Sequence, residues 1–290
     1  MHDTLVIMAG GMSSRMKRGT TDTSVQTTDA VQADFKDKGM IGVGSSNRPL
    51  LDYLLYNARE AGYKRVIIVT GMDNSAMKAL YGPKDSDNTF HGLSISFVIQ
   101  PIPEGRSKPY GTADAIYGAM LAFPELQTQA FSCCNSDNLY SIEALKLVRE
   151  TQAPHAWINY DRVGLDFPAD KIGGFALTIT DADGYLEGMV EKPDTRQIGI
   201  HADASGSLRV SMNLFKLTGS IAFPYIRDCP LSKERQEKEL PAVVLIIGAM
   251  HPRTVLGIPL KEHVPDLTEK SDIARVREYL AQHYGGLDWN

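Results

Sequence analysis

The chain reads as an α/β protein, a mostly parallel sheet covered by helices on both faces. Through the first 160 residues, short β-branched runs alternate with segments of helical periodicity, the pattern of successive βα units. Beyond that point strand-like runs follow one another around a hairpin turn, which predicts an antiparallel elaboration of the same sheet. No internal repeat or linker-like stretch divides the 290 residues, so one domain over residues 1–290 is expected.

The elements follow in order. Leu5–Ala9 is an apolar run and reads as a buried strand. Residues 17–36 are polar, with a Thr/Asp/Ser/Gln run at Thr20–Thr28, and read as a long loop. Leu51, Leu54, Leu55, Ala58 and Ala61 share one stripe, predicting a helix over Leu51–Ala61 that Gly62 stops. Arg65–Thr70 is a strand, Ser75–Tyr81 a short helix and Ile95–Ile99 a strand. Thr112–Phe123 is a helix with Thr112 as its N-cap, Ala130–Asn135 a strand, Ile142–Glu150 a helix and His155–Tyr160 a strand. Gly174–Thr180, Tyr185–Glu191 and Leu208–Leu217 then read as strands, the first two joined by the turn Asp181-Ala182-Asp183-Gly184. Val243–Ile247 suits either a strand or a helical segment. Ser271–His283 closes the chain as a helix, with Ser271 as N-cap and Ile273, Val276 and Leu280 at helical spacing.

Composition narrows the function. Hydrophobic residues make up 43% of the chain, enough for a sizeable core. The net charge is -5, from 30 basic and 35 acidic residues, which argues against nucleic-acid binding by bulk charge. Cys133, Cys134 and Cys229 form no disulfide framework, and the first two read as buried strand residues. The first residues lack a basic segment followed by an apolar one, and no apolar stretch approaches the ~20 residues of a spanning helix. A soluble cytoplasmic protein without a membrane partner is expected. The seven histidines are scattered without metal-ligand spacing. Neither Ser14 nor Ser136 has a histidine at a motif spacing, which speaks against a nucleophilic hydrolase.

The densest signal lies at Leu5–Met16. An apolar run enters Ala9-Gly10-Gly11-Met12-Ser13-Ser14, and Arg15 follows. Gly10 and Gly11 permit close backbone approach, exposed N–H groups favour an anion, and Arg15 can grip phosphate oxygens in pairs. The segment is neither a Walker A loop nor G-x-G-x-x-G; its alternative reading is a tight βα connection. Asp137 follows the strand ending at Asn135, where a carboxylate enters the ligand crevice of an open α/β sheet. It suits Mg²⁺ beside phosphates, or an Asx turn. Gly111-Thr112-Ala113, after the polar run Gly105–Pro109, lets a flat base pack on the backbone with Gln100 at its edge. Glu191-Lys192-Pro193 ends a strand, and Lys192 there is either a solvent-facing charge or a point charge for a phosphate.

Taken in order, these segments resemble the sugar-nucleotide pyrophosphorylase (nucleotidyltransferase) family. Met8–Arg15 resembles its opening signature, with Ser13 where the family has glycine. Lys36-Asp37-Lys38, followed by Asn47–Tyr53, is similar to the segment carrying a second catalytic basic residue. Gly111–Ala115 resembles the base-binding turn, Asn135-Ser136-Asp137 the Mg²⁺-binding element, Gly173-Gly174 the sugar-side loop and Glu191–Pro193 the sugar-phosphate segment. Ser211-Met212-Asn213 falls where the family presents its second metal ligand, making Asn213 the candidate. Leu240-Pro241 and Leu287–Trp289 resemble late features of single-domain members.

The resemblance implies a Rossmann-like three-layer sandwich with a mixed, mostly parallel sheet, and no β-helix or acyltransferase domain after it. It implies transfer of a nucleoside monophosphate from UTP, dTTP or CTP to a sugar 1-phosphate. Arg15, Lys36 or Lys38, Asp137 and Lys192 would be catalytic. Ala9, Gly10, Gly11, Met12, Ser13, Gln100, Gly111, Thr112 and Asn135 would bind nucleotide. Gly174, Glu191 and Lys192 would bind the sugar phosphate, and Asp137 with Asn213 would hold Mg²⁺. Other readings are a non-catalytic nucleotide-binding regulator, a glycosyltransferase using a sugar nucleotide, and a cytidylyltransferase acting on phosphocholine.

Overall fold

A computed structural model describes residues 1–17, 26–190, 202–203 and 206–289. The sheet forms around β1 (Thr4–Met8), which pairs in parallel with β2 (Arg65–Thr70) on one side and β5 (Ala130–Asn135) on the other. β4 (Leu93–Ile99) continues it in parallel, and β3 (Asn88–Phe90) forms an antiparallel edge. Beyond β5 lies β9 (Arg209–Thr218), antiparallel both to β5 and to β6 (His155–Asp161), and β10 (Val255–Leu260) runs parallel to β6. The order is β10-β6-β9-β5-β1-β2-β4-β3. β7 (Leu177–Thr180) and β8 (Leu186–Val190) form a hairpin that joins β9.

The alternation of side chains along β1 explains the three layers. Leu5 and Ile7 enter one core with α2 (Leu50–Glu60), α5 (Ile142–Glu150) and α9 (Asp272–His283). Val6 and Met8 enter the other with α4 (Thr112–Ala122), α7 (Gly219–Arg227) and α8 (Leu240–Met250). Strands covered on both faces are apolar throughout, which is why β1, β2 and β5 stand out in the sequence. Cys133 and Cys134 are buried in β5. Between β2 and β4 runs the short helix α3 (Ser75–Tyr81). Among the described residues no helix is long and apolar enough to cross a membrane.

Several expectations are corrected, and one left open is settled. The polar stretch 17–36 contains a helix, α1 (Thr27–Phe35). Ala33 anchors it in the core, Asp29 pairs with Arg277 of α9 and Asp34 with Lys270. Ion pairs across the fold thus hold a helix that has almost no apolar stripe. Val243–Ile247 is the middle of α8, apolar on most sides because it packs against α7 and the β7–β8 hairpin. Gly174 caps the helix α6 (Ala169–Gly173), so β7 begins only at Leu177. The N-cap of α4 is Gly111, and the Thr112 hydroxyl instead accepts the Leu240 N–H at 2.9 Å. Ser271 does stand at the N-cap of α9, but its hydroxyl turns to Glu269 and makes no cap bond.

Candidate active site

The carboxyl ends of β1, β2, β4 and β5 are zipped together by backbone bonds. Ala9 N–H donates to Val69 O at 2.7 Å, Gln100 N–H to Thr70 O at 2.8 Å and Ser136 N–H to Met8 O at 3.1 Å. This edge floors a cavity of about 300 Å³, bordered by Met8–Arg15, Lys38, Gln100, Gly111, Thr112 and Asn135–Asp137. Such a crevice at strand ends is the ligand site of open α/β sheets.

The two glycines of the first loop differ. A Cβ at Gly10 would lie 3.1 Å from Gln100 Oε1 and 3.2 Å from the Thr70 carbonyl group, so that position serves packing. A Cβ at Gly11 would meet nothing within 4 Å, leaving its backbone open to the cavity. Ser13 has φ +53, in the left-handed region that favours glycine, and its carbonyl accepts the Lys17 N–H at 3.0 Å.

Gln100 is oriented unambiguously. Its Nε2 donates to Gly111 O and to Asp114 Oδ2, each at 2.9 Å. Both partners are acceptors, so Oε1 is the amide atom left beside Gly10. Gly111 has φ +115, and a Cβ there would stand 2.8 Å from Lys238 O. A segment that sequence analysis does not single out roofs this turn. Lys238 N–H donates to Tyr110 O at 2.5 Å, Ala113 N–H to Lys238 O at 2.9 Å, and Lys108 pairs with Glu237 at 2.5 Å. Lys108 and Glu237 both border the cavity. The polar run Gly105–Pro109 was the available signal for Lys108; the partner lies more than a hundred residues away.

Asp137 Oδ2 accepts from Lys38 Nζ at 2.7 Å, with side chains 22% and 13% exposed. Lys38 stands in the 3₁₀ turn Lys38–Met40, whose Gly39 packs on Ser136; a Cβ there would be 3.1 Å from Ser136 O. Burial pushes the neighbouring Asp37 carboxyl above its ordinary value. Lys36 donates to Gln32 Oε1 at 2.9 Å and, among the described residues, does not border the cavity. Geometry therefore separates the two lysines that spacing left equivalent.

Gly174 and Asn213 also lie outside the residues that border this cavity. Asn213 occupies a position of φ +60 in β9, near the irregularity opposite β6, and its N–H donates to Ser211 Oγ at 3.2 Å. Glu191 and Lys192 fall outside the described residues. One acidic group was not anticipated. Asp266 stands across Asn138 in an antiparallel bridge, with Leu267 N–H donating to Asp137 O at 2.9 Å and Leu139 N–H to Pro265 O at 2.8 Å. Among the described residues no group of three or more His, Cys, Asp or Glu side chains suited to a metal is assembled.

Sheet, crevice and glycine loop together define an α/β protein built to hold a ligand at the ends of its parallel strands. The model of the Nucleotidyl transferase family matches residues 5–237, and the chain belongs to that family. It is 25% identical over 195 residues to "Glucose-1-phosphate adenylyltransferase 2" of Vibrio vulnificus, in strains YJ016 and CMCP6; the match covers 67% of this chain. It spans only 44% of those relatives, less than half their length. The fold is similar to a crystal structure of UDP-glucose pyrophosphorylase complexed with UDP-glucose, with TM-score 0.67, 15% identity, and 97% and 99% of the two chains covered.

Proposed function

We propose that the protein transfers a nucleoside monophosphate from UTP, dTTP or CTP to a sugar 1-phosphate in the cytoplasm, forming an NDP-sugar and pyrophosphate. An acceptor phosphate oxygen attacks the α-phosphorus in line. The new P–O bond forms as the bond to the leaving pyrophosphate breaks, and no covalent enzyme intermediate is needed. Orientation and charge neutralisation supply the catalysis.

The observation that carries this reading is the Lys38–Asp137 pair beside the open Gly11 backbone, in one crevice. Gly10–Ser13 and Arg15 hold the β- and γ-phosphates. Gln100, Gly111 and Thr112 receive the base, and Lys38 neutralises charge at the α-phosphate. The donor set suits Mg²⁺, since Asp137, Asn135 and Ser136 offer hard oxygens in the crevice. Asp137 would hold the ion, with Asn213 the second ligand implied by resemblance. When bound, the ion would supply positive charge to neutralise phosphate oxygens in the crevice. Lys192, Glu191 and Gly174 complete the acceptor side in this reading.

The test is pyrophosphate release with Mg²⁺ across UTP, dTTP, CTP, ATP and GTP, each against sugar 1-phosphates and phosphocholine. ATP with glucose 1-phosphate belongs in the panel because the Vibrio relatives are named as adenylyltransferases of that sugar phosphate. A signal requiring one particular pair supports the reaction and names both substrates. Folded protein that binds an NTP yet is silent throughout would overturn it.

A further inference from the structure

Lys171 of α6 sits between two enclosed carboxylates. Its Nζ is 2.9 Å from Asp266 Oδ2, and 3.1 and 3.2 Å from the two oxygens of Asp272. It also lies 4.5 Å from the centre of the Phe167 ring. The Lys171 side chain is 17% exposed, those of Asp266 and Asp272 9% and 5%. Among the described residues the Lys171 ammonium is the one cation paired with both of these nearly buried carboxylates, which would repel each other without it.

Those carboxylates organise a turn. Asp272 Oδ2 accepts the N–H groups of Thr268 and Glu269, each at 2.8 Å, and Asp266 accepts the Thr268 hydroxyl. The start of the same turn is bonded to the Asp137 loop on both sides of Asn138, through Leu267 N–H to Asp137 O and Leu139 N–H to Pro265 O. A contiguous path therefore leads from Lys171, through Asp266 and the 265–267 backbone, to Asp137. A second cavity, of about 510 Å³, borders Asp266 and Asp272 and gives an unpaired turn room to move.

We propose that Lys171 is a positioning residue for Asp137: it holds the 265–272 turn that backs the Asp137 loop, and so sets the affinity of that loop for a divalent cation. The cation half rests on the proposed role of Asp137. Groups that orient metal ligands without touching the metal typically change affinity by about 10- to 100-fold when removed.

The test compares wild type with Lys171→Met, Lys171→Arg, Thr268→Ala and Arg277→Met. The last breaks a different ion pair, between Arg277 of α9 and Asp29, and removes no bond of Lys171, Asp266 or Asp272. Amide hydrogen exchange at Leu139 and Leu267 is measured first, then Mn²⁺ binding by electron paramagnetic resonance in the presence of NTP and no acceptor. Lys171→Met should speed both amides and weaken Mn²⁺ by about tenfold, with cation-free NTP binding unchanged. Lys171→Arg should restore both. Thr268→Ala should act in the same direction more weakly, and serves if Lys171→Met does not fold. Wild-type exchange and Mn²⁺ affinity in Lys171→Met would overturn the proposal, as would equal effects from Arg277→Met. Wild-type protein that bound no Mn²⁺ would sink the cation role of Asp137, while the exchange rates would still decide whether Lys171 holds the loop.

Discussion

Gly111→Ala is the sharpest probe of the end of the crevice proposed to receive the base. Gly111 has φ +115 and ψ -166, a region open essentially to glycine alone, where another residue costs about 1–3 kcal/mol. The new Cβ would also stand 2.8 Å from Lys238 O and 3.0 Å from Glu237 Cβ. The first neighbour is backbone, held by its own bonds to Tyr110 and Ala113, so it yields only if the roof lifts. Strain and overlap together come to about 2–4 kcal/mol. If a nucleotide needs the native turn, the part that appears in binding weakens it by roughly tenfold per 1.4 kcal/mol, so a loss of 30- to 100-fold is about what 2–3 kcal/mol predicts. The assay is calorimetric titration with the NTP that the pyrophosphate screen identifies, alongside thermal unfolding. Gly11→Ala is the control: its Cβ meets nothing within 4 Å, so the melting temperature should hold and any loss of affinity reflects crowding of the ligand itself. A Gly111→Ala protein with unchanged melting temperature and NTP affinity within about twofold of wild type would refute the reasoning.

Other substitutions test the remaining parts. Lys38→Met and Asp137→Asn should each lower turnover by about 100-fold or more, as loss of a preorganised charge does, whereas Lys36→Met should cost little because Lys36 is engaged with Gln32; equal losses for the two lysines in steady-state assays would undo their assignment. Ser13→Gly relieves a left-handed serine, worth about 1–2 kcal/mol, against about 0.5–1 kcal/mol of added chain entropy. Its melting temperature should rise slightly, and a clear fall would mean that the serine side chain contributes. Acid should destabilise the fold through two buried histidines. Burial lowers His2 from 6.5 to about 3 and His155 to about 4, helped in both by the charge of Lys216 and, for His155, by His251. Their folded pKa values are depressed, so the unfolded chain binds protons first. Stability is full above pH ~6.5 and declines as pH falls towards 4, by about 2 kcal/mol per histidine at pH 5. Chemical denaturation at pH 7 and pH 5 measures this, and His155→Gln should roughly halve the difference, leaving the part due to His2.

Legibility from sequence followed the range of the interactions. β1, β2 and β5 are apolar runs because two helical layers cover them, and α5 carries a stripe because one face meets water. Their own residues report their surroundings. α1 does not: its place depends on Asp29 and Asp34 finding cations of the C-terminal region. The crevice divides in the same way. A loop that leaves its backbone open to a cavity is a local property, so Gly10, Gly11 and Ser13 mark it in one short stretch. Gly111 is legible as a turn, but the reason it must be glycine, the Lys238 carbonyl, comes from a distant roof. Lys36 and Lys38 look alike until a 3₁₀ turn carries Lys38 onto Asp137, 99 positions away, while Lys36 stays with Gln32 four residues back.

Asp266 is the extreme case. Nothing around Pro265-Asp266-Leu267 marks it, and only the bridge to Asn138 brings it beside the Asp137 loop. An acidic residue that far along the chain acquires its meaning from pairing alone. Asn213, the residue that resemblance points to, is instead a β9 residue outside the crevice wall. The distinction is measurable. If Asp266 backs Asp137 without touching a cation, Asp266→Asn should alter Mn²⁺ affinity and exchange at Leu139 together. If it ligates the cation directly, affinity should fall with the Leu139 amide unchanged.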